Sequence, residues 1–411
     1  MSPYAILAGL LALAWAGGAL ARPAGQRASG LPSGTEFLLA GMLVGPLGLG
    51  AVTRPTLDAL APLTLVAASW LALLAGSELG HVHRRRVPAT RLLLGLALSL
   101  AGFAAIALVA WWLGPMLLAL DDNERLLLAI GLGCAGGETA RTALFWGVHR
   151  LAAGGPLHDA LGDLASADDM VPLAGLALLF ALDAQPGSAA IHAMPLLALA
   201  VTLGLGIAAG AMAGALTRVE TRLTERWGIL LGTALIAIGL AALLGLAAPA
   251  ALAVMGVTLN LLARDGASLR AMLASTARPV LLPVVALAGA QLDLRDGQAL
   301  WIVVALVPAL RLAIKLPALA VLRRHLQLAV APTAWTGLAL MGCGPVTLCV
   351  GVVVAIQFPG PVGRLVLAGC LAAILVGELL GPPALRRELQ RAGEWPATGR
   401  REPLRTTARP S

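Results

Sequence analysis

Two adjacent carboxylates, Asp168 and Asp169, lie inside the apolar stretch LHDALGDLASADDMVPLAGLALLFAL, and the only lysine of the chain, Lys315, closes the apolar segment LRLAIK. Carboxylates and an ammonium in such surroundings can bind a cation or carry protons. Arginine stays protonated in protein environments, whereas an ammonium can release its proton, so a single lysine beside 28 arginines (29 basic residues less one) is a chemical choice. Ionisable groups inside a membrane segment are functional candidates by default. Glu138, Thr139 and Arg141 in GLGCAGGETARTALFWGV, and Arg311 four residues before Lys315, complete the set. On a continuous helix Asp168 and Asp169 would point about 100° apart, so each needs its own partner. One can face a cation while the other faces water, and the long stem of Lys315 brings an Asp168–Lys315 pair within reach. Arg311 shares a helix face with Lys315, so the two cations create a common demand for acids.

The elements that must position these groups are membrane helices. The 411 residues are 59% hydrophobic and 12% charged, with a mean hydropathy of +0.87, a balance that excludes ordinary soluble domains and indicates an all-α polytopic membrane protein. With 48 glycines and 26 prolines against 5 Phe and 1 Tyr, close small-residue packing replaces aromatic filling. The net charge of +8 comes from basic residues that punctuate apolar runs, which argues against nucleic acid as a partner. Cys134, Cys343, Cys349 and Cys370 lie in apolar segments without CxxC spacing and read as packing residues. No histidine cluster, nucleophile elbow or phosphate loop is present, so an enzyme is not expected. His81 and His83 beside Arg84, Arg85 and Arg86 read as solvated in a cytoplasmic loop.

About 20 apolar residues cross a bilayer. Thirteen segments qualify, near 3–21, 35–51, 57–79, 91–113, 125–149, 157–182, 193–216, 226–245, 247–262, 276–293, 298–322, 333–356 and 363–381. The first has no basic region ahead of it and reads as a spanning helix rather than a cleaved signal. With the N-terminus outside, 22 bases fall on inside loops and the tail and 4 (Arg54, Arg125, Arg295, Arg364) outside, which leaves Arg141, Arg311 and Lys315 of the 29 within the membrane. Three deep acids, Glu138, Asp168 and Asp169, face these three bases. Each embedded charge costs about 2.5–3.5 kcal/mol, so mutual pairing is required.

Two segments read as interrupted helices. The glycine-rich centre before Glu138 and the stretch LMGCGPVTLCVG, where Gly342, Gly344 and Pro345 break the helix, both place irregular backbone at membrane depth. Such backbone survives where it lines a cavity, and paired interruptions in two halves of a chain point to a transporter's ion site. The order interrupted helix, acidic helix, then basic helix, interrupted helix is compatible with an inverted repeat.

With these residues in place, the chain resembles the bacterial monovalent cation:proton antiporters, the sodium/proton exchanger superfamily. The matching stretches are GTEFLLAGMLVGPLGLG at 34–50, LALLAGSELG at 71–80, the Asp168-Asp169 helix, LRLAIK at 310–315 and ELLGPPALRRELQRAGE at 378–394. The resemblance implies thirteen helices with two broken, crossing ones. A core of 91–182 and 298–381 would move like an elevator against a dimerisation domain of 3–79 and 226–293. The helix 193–216 would link them, and 382–411 would form a cytoplasmic tail. It further implies that Asp169 is the main cation and proton site, that Asp168 pairs with Lys315, and that Asp-Asp supports electrogenic exchange of protons for Na+, K+ or Li+. Glu138, Thr139, Arg141, Arg311 and Gly344 would support that site, with no cofactor. The expected setting is a homodimer among the lipids of a bacterial inner membrane, without a nucleotide-binding regulatory domain in cis. Glu138 and Arg141, where relatives usually carry small hydroxyl residues, and Gly344-Pro345 in the second interruption set this chain apart. An organic-anion symporter held by Arg141 or Arg311, and a non-transporting membrane sensor, remain alternatives on the same residues.

Overall fold

In the computed structural model the described residues are 34–84, 87–141, 144, 155–183, 194–219, 222–263, 265–293, 297–325 and 332–395. They form helices and no strands: α1 Thr35–Val44, α2 Arg54–Arg84, α3 Ala89–Leu117, α4 Asp122–Gly137, α5 Pro156–Leu164, α6 Met170–Leu182, α7 Pro195–Val219, α8 Leu223–Leu243, α9 Ala248–Leu262, α10 Gly266–Gln291, α11 Gly297–Lys315, α12 Ala318–His325, α13 Ala334–Ala339, α14 Pro345–Gln357 and α15 Pro361–Arg391. Among the described residues seven helices are long and apolar enough to cross a membrane (α2, α3, α7, α8, α10, α11 and α15), which makes this a multi-pass membrane protein. The segment 3–21 lies outside the described residues.

Local sequence explains several boundaries. Asp121 accepts from the Glu124 N–H at 2.7 Å while the Glu124 carboxylate accepts from the Asp121 N–H at 3.3 Å, a reciprocal cap that starts α4. Pro345 begins α14, where its missing N–H costs nothing. Other boundaries differ from expectation. α2 continues through His81 and His83 to Arg84, where a loop was predicted. The stretch 298–322 divides at residues 316 and 317 into α11 and α12, and 157–182 divides into α5 and α6.

Small residues set the packing. α2 crosses α9 where Gly76 and Gly256 lie against each other's backbone, since a Cβ at Gly76 would stand 1.9 Å from the Ala253 carbonyl oxygen. α3 crosses α4 in the same way at Gly102 and Gly136. One group of helices joins α2, α9 and α10, with α1 on α10 and α7 and α8 on α9; another joins α4 with α3, α6 and α15, and α15 with α11, α13 and α14. The groups meet where α2 and α10 lie on α14 and where α9 lies on α6. This arrangement brings the interruptions after α4, α5 and α13 together.

Candidate ion-binding site

α4 ends at Gly137, Glu138 is extended, and residues 138–140 are non-helical before helical geometry resumes at Arg141. α13 ends at Ala339, and residues 340–344 separate it from α14. The two interruptions are hydrogen-bonded to each other, because the Ala140 N–H donates to the Gly342 carbonyl at 2.8 Å. Each interruption frees carbonyls at one helix end and N–H groups at the next, which need partners inside the membrane.

Arg311 and Lys315 on α11 supply the donors for the carbonyl ends. Arg311 is fully buried and donates to the carbonyls of Ala135 (2.6 Å), Glu138 (2.8 Å) and Met341 (3.1 Å). Lys315, also buried, donates to the carbonyls of Leu340 (2.5 Å) and Glu138 (3.1 Å) and to Thr139 Oγ1 (2.8 Å). Two cations therefore bind the negative ends of α4 and α13 together, where the helix dipoles favour positive charge. This corrects the expectation that they demand acids. The four-residue spacing places both on one face, and buried backbone carbonyls freed at the helix ends satisfy that face. The expected Asp168–Lys315 ion pair is not formed among the described residues, although the two groups remain within electrostatic reach.

Glu138 meets the opposite need. Its carboxylate, 1% exposed, accepts from the Thr347 N–H at 2.5 Å in the first turn of α14, so an acid from the first interruption caps the half-helix that follows the second. The positive end of a helix dipole stabilises a carboxylate there. Gly344, the residue just before α14, lines a small apolar cavity with Thr35, Leu38 and Leu348. Glu138, Arg311 and Lys315 thus join helix ends.

Asp168 and Asp169 sit in a turn over residues 165–169 rather than inside a helix, which corrects the expectation of two carboxylates on a continuous helical surface. Ser166 and the aspartates are residues that compete with helix by local hydrogen bonding. Ser99 on α3 donates to the Asp168 carbonyl at 3.0 Å, and Ser166 donates to the Gly162 carbonyl at 2.6 Å, so the turn is fixed from both sides. Asp168 is buried, and the Oδ1 atoms of both aspartates are enclosed and without a hydrogen-bond partner among the described residues. Unsatisfied buried carboxylate oxygens are costly in a native structure, and they are hard oxygen donors of the kind a small cation accepts. Arg141 donates from one nitrogen to Ser166 Oγ and to Glu78 Oε2, both at 3.2 Å. Ser99, Ser166 and Glu78 were not among the residues the sequence singled out for the site. Ser99 carries no signal in the sequence, Ser166 only the tendency of serine to leave a helix, and Glu78 stands at the end of the predicted span 57–79.

These features define a multi-pass membrane protein, all-helical over the described residues, whose buried charges converge on the non-helical stretches after α4, α5 and α13. Its fold is that of the sodium/proton antiporters. The chain is similar to the sodium/proton antiporter MjNhaP1 of Methanocaldococcus jannaschii, solved at pH 8, with a TM-score of 0.67 and 16% identity over 92% of this chain and 99% of that one. No protein-family model matches the sequence, and no curated protein matches it.

Proposed function

We propose that the protein exchanges a monovalent cation, Na+ foremost, for protons by alternating access, and that Asp169 with Asp168 is the shared site. The observation that carries this reading is the pair of enclosed carboxylate oxygens in the turn 165–169 that have no hydrogen-bond partner among the described residues. The antiporter fold supports it. A cation or protons would satisfy those oxygens, and the neutralised site would be the form that crosses the membrane at low cost. Because the carboxylates adjoin each other and interact with Glu138 and Lys315, the group would titrate as a unit. Lys315 acts in this reading mainly by holding the ends of α4 and α13, with a secondary electrostatic effect on Asp168.

The finer features of the reading are thirteen spans with two broken, crossing helices, a mobile core of 91–182 and 298–381, a scaffold of 3–79 and 226–293, and 193–216 as the linker. The N-terminus would lie outside, the C-terminus in the cytoplasm and the protein in a bacterial inner membrane. Two carboxylates at the site favour electrogenic exchange, and no cofactor is needed. A homodimer is supported by α8, where Gly228, Gly232 and Gly239 lie on one face with nothing within 4 Å among the described residues. A second reading, a sensor that binds ions without flux, draws on the Glu138 cap and the Arg141 contacts, which tie the site to its surroundings.

Reconstitution into proteoliposomes tests the proposal. Proton movement is expected on adding Na+, K+ or Li+, with a rate that depends on membrane potential, and Asp169→Asn is expected to abolish it. Cation-dependent flux retained in Asp169→Asn would falsify the site assignment, and ion binding without flux in the native chain would select the sensor.

A further inference from the structure

The end of α15 presents two carboxylates to helices far away in the chain. Glu388, buried in its last turn, accepts from the Thr333 N–H (3.0 Å), from Thr333 Oγ1 (2.5 Å) and from Thr336 Oγ1 (3.0 Å), which fastens the start of α13. Gly393, at φ 72°, then closes α15 with the Glu394 N–H on the Leu389 carbonyl at 2.9 Å, a left-handed turn that glycine adopts without steric penalty. The turn sends Glu394 to the start of α5, where its two oxygens accept from the N–H groups of Leu157 (2.8 Å) and His158 (2.9 Å). Gly155 leaves room for that carboxylate, since a Cβ there would stand 2.4 Å from Glu394 Cδ. The two helices held in this way are the ones that end at the ion site: α5 runs into the turn 165–169, and α13 into residues 340–344. One apolar cluster fills the space between, with Leu157, Leu161, Ala165, Leu340, Leu385 and Leu389 buried together.

We propose that Glu394 and Glu388 are positioning residues, which fix the two arms of the ion site to the end of α15 and so set where the turn 165–169 stands relative to residues 340–344. The inference rests on the exchange reading above, because it concerns the geometry of the same site. Both acids act through a helix: at about 1.5 Å per residue, Glu394 works across about 14 Å of α5 and Glu388 across about 9 Å of α13. Glu394 matters most. α13 also packs along α15, whereas α5 packs on α3, where Arg91 pairs with Asp163 at 2.8 Å. Without Glu394, α5 keeps its place on α3 and loses its hydrogen-bonded tie to α15. A shift of about 1 Å between two such arms is enough to weaken a site built for one geometry.

Backbone hydrogen exchange and Na+ binding by calorimetry, both on the full chain, separate a positioning role from simple helix capping. Glu394→Ala should speed exchange about fivefold in α5 and in the turn 165–169, and weaken Na+ binding by a similar factor. Adding Gly155→Asp to Glu394→Ala gives α5 a cap from its own N-cap position, in the space the glutamate vacates. That double variant should regain protection at Leu157 and His158 yet leave the turn fast and Na+ binding weak, because the tie to α15 is still missing. Glu388→Gln should speed exchange at residues 340–344. The proposal is overturned if Glu394→Ala leaves the turn at its native rate, if the Na+ binding shown by the native chain is unaltered in that variant, if the double variant restores both, or if Glu388→Gln spares residues 340–344. A native chain that binds no Na+ refutes the exchange reading instead, and the exchange rates still decide whether α15 holds the two arms.

Discussion

Replacing Lys315 with Met tests whether the lone lysine serves helix ends or an aspartate. The substitution removes three hydrogen bonds, to the carbonyls of Leu340 and Glu138 and to Thr139 Oγ1. Their losses are unequal. The Glu138 carbonyl keeps Arg311 at 2.8 Å, whereas the ammonium's bond to the Leu340 carbonyl has no such substitute among the described residues, and an orphaned buried acceptor costs about 1–3 kcal/mol. Losing the charge at the two helix ends adds about 1 kcal/mol, and relief from burying an ammonium offsets part of it. A net loss of about 2–3 kcal/mol follows. Unfolding in mixed micelles, followed by tryptophan fluorescence, gives the value. Double-mutant cycles locate it: coupling of Lys315→Met with Thr139→Val should reach about 1–2 kcal/mol and exceed its coupling with Asp168→Asn. The reverse order, with Asp168 the stronger partner, would refute the reasoning and restore the ion pair expected from the sequence.

Two further outcomes follow from the same contacts. Glu138→Ala should destabilise the protein by about 1–2 kcal/mol by uncapping α14, and Glu138→Gln, which keeps an acceptor for Thr347, by less; equal losses in a thermal-unfolding series would contradict the cap. Gly76→Val should cost about 3 kcal/mol or prevent folding, because its Cβ meets the Ala253 carbonyl, whereas Gly232→Val should change monomer stability by about 0.5 kcal/mol at most and shift any dimer toward monomer in light scattering.

The loop count in the sequence left Arg141, Arg311 and Lys315 as the expected embedded bases, and the structure buries Arg311 and Lys315. Gly342, Gly344 and Pro345 mark the non-helical stretch before α14, and the glycine-rich run before Glu138 precedes the end of α4. What these charges bind was not legible. Arg311 and Lys315 bond mainly to backbone carbonyls, which look alike at every position until an interrupted helix frees them. The turn at Asp168 was hidden for a related reason: residues 165–169 contain no Gly or Pro, and the apolar flanks carry the pattern of one continuous span. The tendency of Ser and Asp to leave a helix was the available signal. Glu78 looked like an end-of-helix acid because its partners, Arg141 and Arg270, are far away in the chain.

The central claim is that a cation and protons compete for the carboxylates of Asp168 and Asp169. Calorimetry of Na+ or Li+ binding, repeated in buffers of different ionisation enthalpy, counts the protons released as the cation binds. Net proton release is expected from the native chain, falling at neutral pH when Asp168 is replaced by Asn and vanishing together with cation binding in Asp169→Asn. Cation binding that releases no proton across the pH range, or that persists unchanged in Asp169→Asn, would contradict the account.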